Sequence, residues 1–130
     1  MTVVVDANVA FEALSTTDGF RRLGDVELVA PPLLWSEVRS ALHVAVWRGV
    51  LGDEAAKSAH AALDSGPVRE RRHRSLGRVA WEIADELGWA KTYDAEYLAL
   101  ASLLAIPIVT FDGRVARAAG QLSIPTHALS

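Results

Sequence analysis

Asp6, Glu37, Asp94 and Asp112 come from four separate segments, and each stands near a strand end or a helix start. In open parallel sheets, ligands bind beyond the carboxyl ends of the strands, so these four residues are the ones placed to meet. Gathering like charges is unfavourable, and the cost climbs in a water-poor cleft. Something positive must offset it. With no Cys in the chain and its four His scattered, the offset that suits the set is a hard cation such as Mg²⁺ or Mn²⁺, which takes oxygen ligands and keeps several waters. Such a cation polarises a phosphoryl oxygen, lowers the pKa of a bound water and steadies charge on the leaving oxygen. The chemistry is then metal-assisted hydrolysis of a phosphodiester. Asp at a strand end or helix start is equally a routine N-cap for orphan backbone N–H groups, so type and spacing alone leave both roles open.

The elements that must position these residues follow from periodicity. Val3-Val4-Val5 reads as a short strand buried on both faces, which puts Asp6 at its carboxyl end. A helix is expected over residues 8–14 and a short one over Gly19–Leu23 after the capping cluster Thr16-Thr17-Asp18, then a second strand over 26–30. Pro31-Pro32 opens a helix over Leu33–Trp47, where Leu34, Val38, Ala41, Leu42 and Ala45 make one apolar face with Glu37 beside it. Further helices are expected over 53–63, Leu76–Leu87, Tyr93–Leu104 and 114–119, a buried strand over 107–110 and a last edge strand over 124–127. Strands alternating with helices imply a parallel sheet covered on both faces. Glu96, two residues past Asp94, is turned from it by about 200° on a helix and belongs to the surface or to a supporting place.

Composition sets the frame. The 130 residues carry 13 Lys and Arg against 16 Asp and Glu, a net charge of −3, which counts weakly against a general nucleic-acid-coating protein. Setting the four carboxylates aside leaves twelve acidic residues against thirteen basic ones, so the acidity belongs to the proposed site and the remaining surface is near neutral. The longest apolar stretch, residues 98–109, is broken by Ser102 and Pro107 and falls short of the ~20 residues that span a bilayer. No membrane helix is expected. The start Met1-Thr2-Val3 lacks a basic leader and Asp6 interrupts the apolar run, so a cytoplasmic location is expected.

Val5-Asp6-Ala7-Asn8, Glu37 on the helix leaving the second strand, the run from Thr92-Tyr93-Asp94-Ala95-Glu96-Tyr97 to Leu98-Ala99-Leu100-Ala101, and Thr110-Phe111-Asp112-Gly113-Arg114 follow one another along the chain. Together they resemble the successive motifs of PIN-domain nucleases, and most closely those of the VapC-type toxins of toxin–antitoxin modules. The tyrosine-aspartate helix and the threonine-x-aspartate strand end carry most of that specificity. The resemblance implies one domain over residues 1–130 with a PIN-like three-layer α/β/α sandwich and a mostly parallel central sheet. It implies that Asp6, Glu37, Asp94 and Asp112 bind Mg²⁺ or Mn²⁺ and activate water, that Asn8 holds Asp6 or a metal water, and that Thr110 supports Asp112. It also implies an RNA substrate cut to leave a 5′-phosphate, a homodimer and a cognate antitoxin protein.

The remaining polar and aromatic features divide more evenly. Arg114, two residues after Asp112, is placed to orient a scissile phosphate or steady a carboxylate. Arg69, Arg71, Arg72 and Arg74 suit either RNA phosphates or an edge strand kept charged against aggregation. Trp35, Trp47, Trp81 and Trp89 lie on or beside amphipathic helices, where packing in the core or at a dimer interface is the expectation. His43, His60, His73 and His127 share no spacing, so a His metal site is not expected. A PIN nuclease of RNA processing is the nearest rival within the family. A receiver-like signalling module also places acids at strand ends, but it would show an early acidic pair and a late Lys, whereas Asp6 stands single and no Lys follows Val109. A dinucleotide-binding domain is disfavoured because no Gly-rich loop follows the first strand.

Overall fold

The structure is a computed structural model and describes residues 1–16 and 19–129; Thr17 and Asp18 of the expected capping cluster lie outside the described residues. Four strands, β1 (Thr2–Val5), β2 (Glu27–Ala30), β3 (Val68–Glu70) and β4 (Ile108–Val109), form one parallel sheet in the order β3-β2-β1-β4. The helices are α1 (Ala7–Ser15), α2 (Leu33–Trp47), α3 (Asp53–Ser65), α4 (Leu76–Leu87), α5 (Tyr93–Leu104) and α6 (Gly113–Gln121), with a 3₁₀ helix over Gly19–Leu23. From β1 the chain steps outward through β2 to β3 and then returns past β1 to β4. Right-handed crossovers put the outward helices on one face and the returning ones on the other. The contacts agree: α1, α2 and α3 pack together, while α4 packs on α5 and α5 on α6, β1 and β4. This is the expected three-layer α/β/α sandwich.

The β-branched run of β1 is central because it is wholly buried, Val3, Val4 and Val5 each showing no exposed surface. In α2 the buried residues Leu34, Val38 and Leu42 recur every four positions, leaving Glu37 at the edge of the stripe, one step from the core. Helix α5 buries Ala95 and every residue from Tyr97 through Ala101, so it lies between α4 and the sheet and not on the surface. Each such fully buried Leu is worth ~1.5–3 kcal/mol relative to an exposed one, and this packing fixes the first turn of α5 against the sheet end.

Two expected strands are shorter than their patterns. Of residues 107–110 only Ile108 and Val109 are strand, since Pro107 has no N–H to give and Thr110 turns into the site. Residues 124–127 contribute a single parallel bridge, Ile108 to Thr126, because Pro125 removes a ladder donor. The basic run begins as the edge strand β3, with Arg72 paired to Glu70 at 3.0 Å; this favours the charged-edge role. Core packing fails for two tryptophans: Trp47 is 82% and Trp81 66% exposed, while Trp35 and Trp89 pack against the core. No described helix is long and apolar enough to cross a membrane.

Candidate active site

The sheet changes direction of winding between β1 and β4, and the crevice at such a switch point is where parallel sheets bind ligands. Val5 pairs with Val109, so the next residues, Asp6 and Thr110, emerge side by side. Asp6 Oδ1 caps α1 by accepting from Val9 N at 3.1 Å, and Asp6 Oδ2 accepts from the Thr110 hydroxyl. Thr110 Oγ1 in turn accepts from Asp112 N at 3.0 Å, and Asp112 Oδ1 caps α6 by accepting from Arg114 N at 2.8 Å. One threonine thus ties two strand-end carboxylates together. Capping uses only Oδ1 of each, so the capping role and a ligand role coexist.

Asp6 is the buried charged residue of the core region, 6% exposed. Burial pushes its carboxyl pKa up and the neighbouring Asp94 and Asp112 push it further, while the bonds from Thr110 and Val9 act in the opposite direction. Asp94 sits in the first turn of α5, and its Oδ2 accepts from Arg114 Nη2. The Arg114 guanidinium lies over the Trp89 ring, 4.3 Å from its centroid. Trp89 is brought there by Gly88, whose φ of +70° ends α4 in a left-handed turn that glycine adopts without a Cβ penalty.

Glu37 reaches the same region from α2. Its Oε1 accepts from the Tyr97 hydroxyl at 2.6 Å, a short, charge-assisted bond across the top of the sheet. Tyr97 is 1% exposed, and burial, that bond and the nearby Glu37, Asp6 and Asp94 all raise its pKa. It therefore remains a donor at physiological pH. Glu96 is half-buried and has its pKa raised by burial first and by Glu37 second. Tyr97→Phe is expected to cost about 1–2 kcal/mol of stability, as the loss of a hydrogen bond to a partly solvated carboxylate. Urea unfolding of the native protein and the Phe variant checks this; an unchanged midpoint would show that the bond to Glu37 adds nothing to the fold.

The structure thus brings Asp6, Thr110 and Asp112 into direct contact, with Asp94 and Arg114 beside them and Glu37 held at the facing edge. Asn8 is exposed in the first turn of α1, and among the described residues Asp6 takes its bonds from Val9 and Thr110 instead. The donors are all carboxylate or hydroxyl oxygens, which fits a hard divalent cation. Among the described residues, no three acidic or His side chains are drawn in tightly enough to form a ready cage; Arg114 already neutralises Asp94, and the other carboxylates repel one another. Tyr97 and Trp89 are the residues that sequence reasoning left out of the site. The signal for Tyr97 was its place three residues after Asp94, on the same helical face.

Comparison with known proteins places these features in context. Residues 3–121 match the family model described as the PIN domain. Ribonuclease VapC1 of Mycobacterium tuberculosis is 38% identical over 96 residues, which cover 70% of this chain and 67% of that protein. Ribonuclease VapC12 of the same organism is 31% identical over 122 residues, covering 91% of this chain and 92% of that protein. The crystal structure of PAE2754 from Pyrobaculum aerophilum has the same fold, with a TM-score of 0.67 at 24% identity over 91% of this chain and 87% of that one.

Proposed function

The chain belongs to the PIN-domain family, in its VapC branch of ribonuclease toxins, and we propose that it cleaves RNA by divalent-metal-assisted hydrolysis at Asp6, Glu37, Asp94 and Asp112. The observation that carries this reading is Asp6, an acid buried at the switch point that feels two further carboxylates from separate segments. A structural cap needs no such company.

When bound, Mg²⁺ or Mn²⁺ supplies Lewis acidity toward a phosphoryl oxygen and lowers the pKa of water. Asp6, Asp94 and Asp112 offer the oxygens that would hold it, with Thr110 fixing the spacing of Asp6 and Asp112. Glu37 is anchored through Oε1 by Tyr97, which leaves Oε2 to accept a proton from the attacking water. Arg114, able to leave Asp94, is placed to orient the phosphate bidentately, and Asn8 offers an amide at the rim. With this reading come a cognate antitoxin and a homodimer. Trp47, Val50 and Trp81, all more than half exposed, supply apolar surface suited to such contacts.

Incubation of the purified protein with cellular RNA tests the reading. Cleavage to 5′-phosphate ends is expected with Mg²⁺ or Mn²⁺, none with a chelator, and recovery on adding the ion back. Expression should arrest growth, and Asp112→Ala should relieve the arrest. Cleavage that persists in excess chelator would overturn the metal-dependent mechanism.

A further inference from the structure

Two clefts open beside the acidic residues, one on either side of Tyr93. The first, about 470 Å³, is walled by Trp89, Lys91, Asp94 and Arg114. The second, about 530 Å³, is walled by Leu33, Ser36, Ser40, Ala41 and Val44. Tyr93 and Glu37 belong to both walls, so the clefts adjoin at the Glu37 edge of the candidate active site. The Tyr93 side chain, on the first residue of α5 and immediately before Asp94, is 54% exposed. An aromatic ring left in water contributes little to folding, so its position between two clefts calls for an occupant.

The clefts differ in chemistry. The first carries two cations, Lys91 and Arg114, beside the carboxylates Asp94 and Glu37; with a divalent cation on the carboxylates it would suit a phosphate and a ribose backbone. The second carries hydroxyls and short aliphatic groups and, apart from the shared Glu37, no charge. It suits an uncharged, flat, hydrogen-bonding group better than a phosphate. A splayed-out base of single-stranded RNA has that description and stacks readily on an aromatic side chain. We propose that Tyr93 is the stacking platform for the RNA base next to the scissile phosphate, with the backbone on the Lys91 and Arg114 side and the base edge facing Ser36 and Ser40. This assignment rests on the reading of the chain as an RNA-cleaving enzyme and names how that site grips its substrate.

The test uses Asp6→Asn protein, which is expected to bind RNA and to cut it about a thousandfold more slowly, and short single-stranded RNA oligomers with or without one abasic nucleotide at each position in turn. Adding Tyr93→Ala should weaken binding roughly 5- to 150-fold, the range for losing one base–aromatic stack, whereas Tyr93→Phe and Tyr93→Trp should bind within about twofold of the parent. One abasic position should weaken the parent by the same factor and the Tyr93→Ala variant hardly at all. Undiminished binding by Tyr93→Ala, or equal abasic losses in both proteins, overturns the stacking assignment. So does a Tyr93→Ala variant that keeps its RNA affinity but changes its elution volume, which would make the ring a protein contact. If the Asp6→Asn parent binds no single-stranded RNA at all, the RNA-cleaving reading itself fails, and the two failures are therefore distinguishable.

Discussion

Asp6→Asn is expected to lower RNA cleavage by about three orders of magnitude, the scale of losing several kcal/mol of metal-assisted transition-state stabilisation, and yet to raise the thermal midpoint measured without divalent cation. The two effects share one cause. Burial and the proximity of Asp94 and Asp112 raise the pKa of Asp6 above the ordinary aspartate range, so the folded state binds its proton more tightly than the unfolded chain. By linkage, this group's contribution is most favourable below the unfolded pKa and is lost as pH rises through the raised folded value. Above that window the charged Asp6 is a net burden, partly offset by the bonds from Thr110 and Val9, and a bound cation would relieve it. Asn removes the charge and keeps an oxygen for the Val9 N–H, so the cap of α1 survives. Asp6→Ala also removes the charge but gives up the cap, at about 1 kcal/mol, and should melt below the Asn variant. The advantage of Asn over the native residue should be absent at the lowest pH, grow across the window between the two pKa values, and level off above it. Melting curves over a pH series decide the matter; an Asn variant less stable than native at every pH would show that Asp6 is held as a structural cap and not as an unrelieved charge.

Asp6 was legible in the sequence because both of its determinants are local. Three β-branched residues make a buried strand, and the first acid after it must emerge at the carboxyl end. Asp112 was legible for the same reason, and Glu37 because the four-residue apolar repeat of α2 fixes which residues lie beside its buried face. What holds these acids was not legible. The bond from Tyr97 to Glu37 joins residues sixty apart in the chain, and that from Thr110 to Asp6 depends on the register of Val5 with Val109. Register is a property of the assembled sheet. Trp89 reads as a packing aromatic at the end of an amphipathic helix, and only the left-handed turn at Gly88 brings it under Arg114. The exposure of Trp47 and Trp81 escaped for the converse reason. Trp47 ends α2 beyond its buried stripe, and Trp81 falls between Ala80 and Ile83, the buried positions of α4.

Arg114→Ala is expected to move cleavage and metal affinity in opposite directions. Cleavage should fall about 100-fold, the lower end of the range for deleting one donor aimed at developing charge, while the affinity for Mn²⁺ or Mg²⁺ should rise. Arg114 supplies Asp94 with a positive partner, and a divalent cation taking that carboxylate must displace it. Both side chains of the pair are nearly half exposed, 47% for Arg114 and 40% for Asp94, so the pair is worth no more than about 1 kcal/mol after solvent screening. Its removal should therefore tighten metal binding by no more than about fivefold. Displacement does not waste the guanidinium, because the Trp89 ring lies under it, 4.3 Å from centroid to guanidinium carbon, and keeps it in the same cleft. Arg114→Lys keeps the charge but loses the planar fork and the stacking, so it should bind metal much as the native protein does and still cleave poorly. Calorimetric titration with Mn²⁺ beside single-turnover cleavage separates the two roles. Weaker metal binding in Arg114→Ala would mean that the guanidinium orders Asp94 for the cation instead of competing with it.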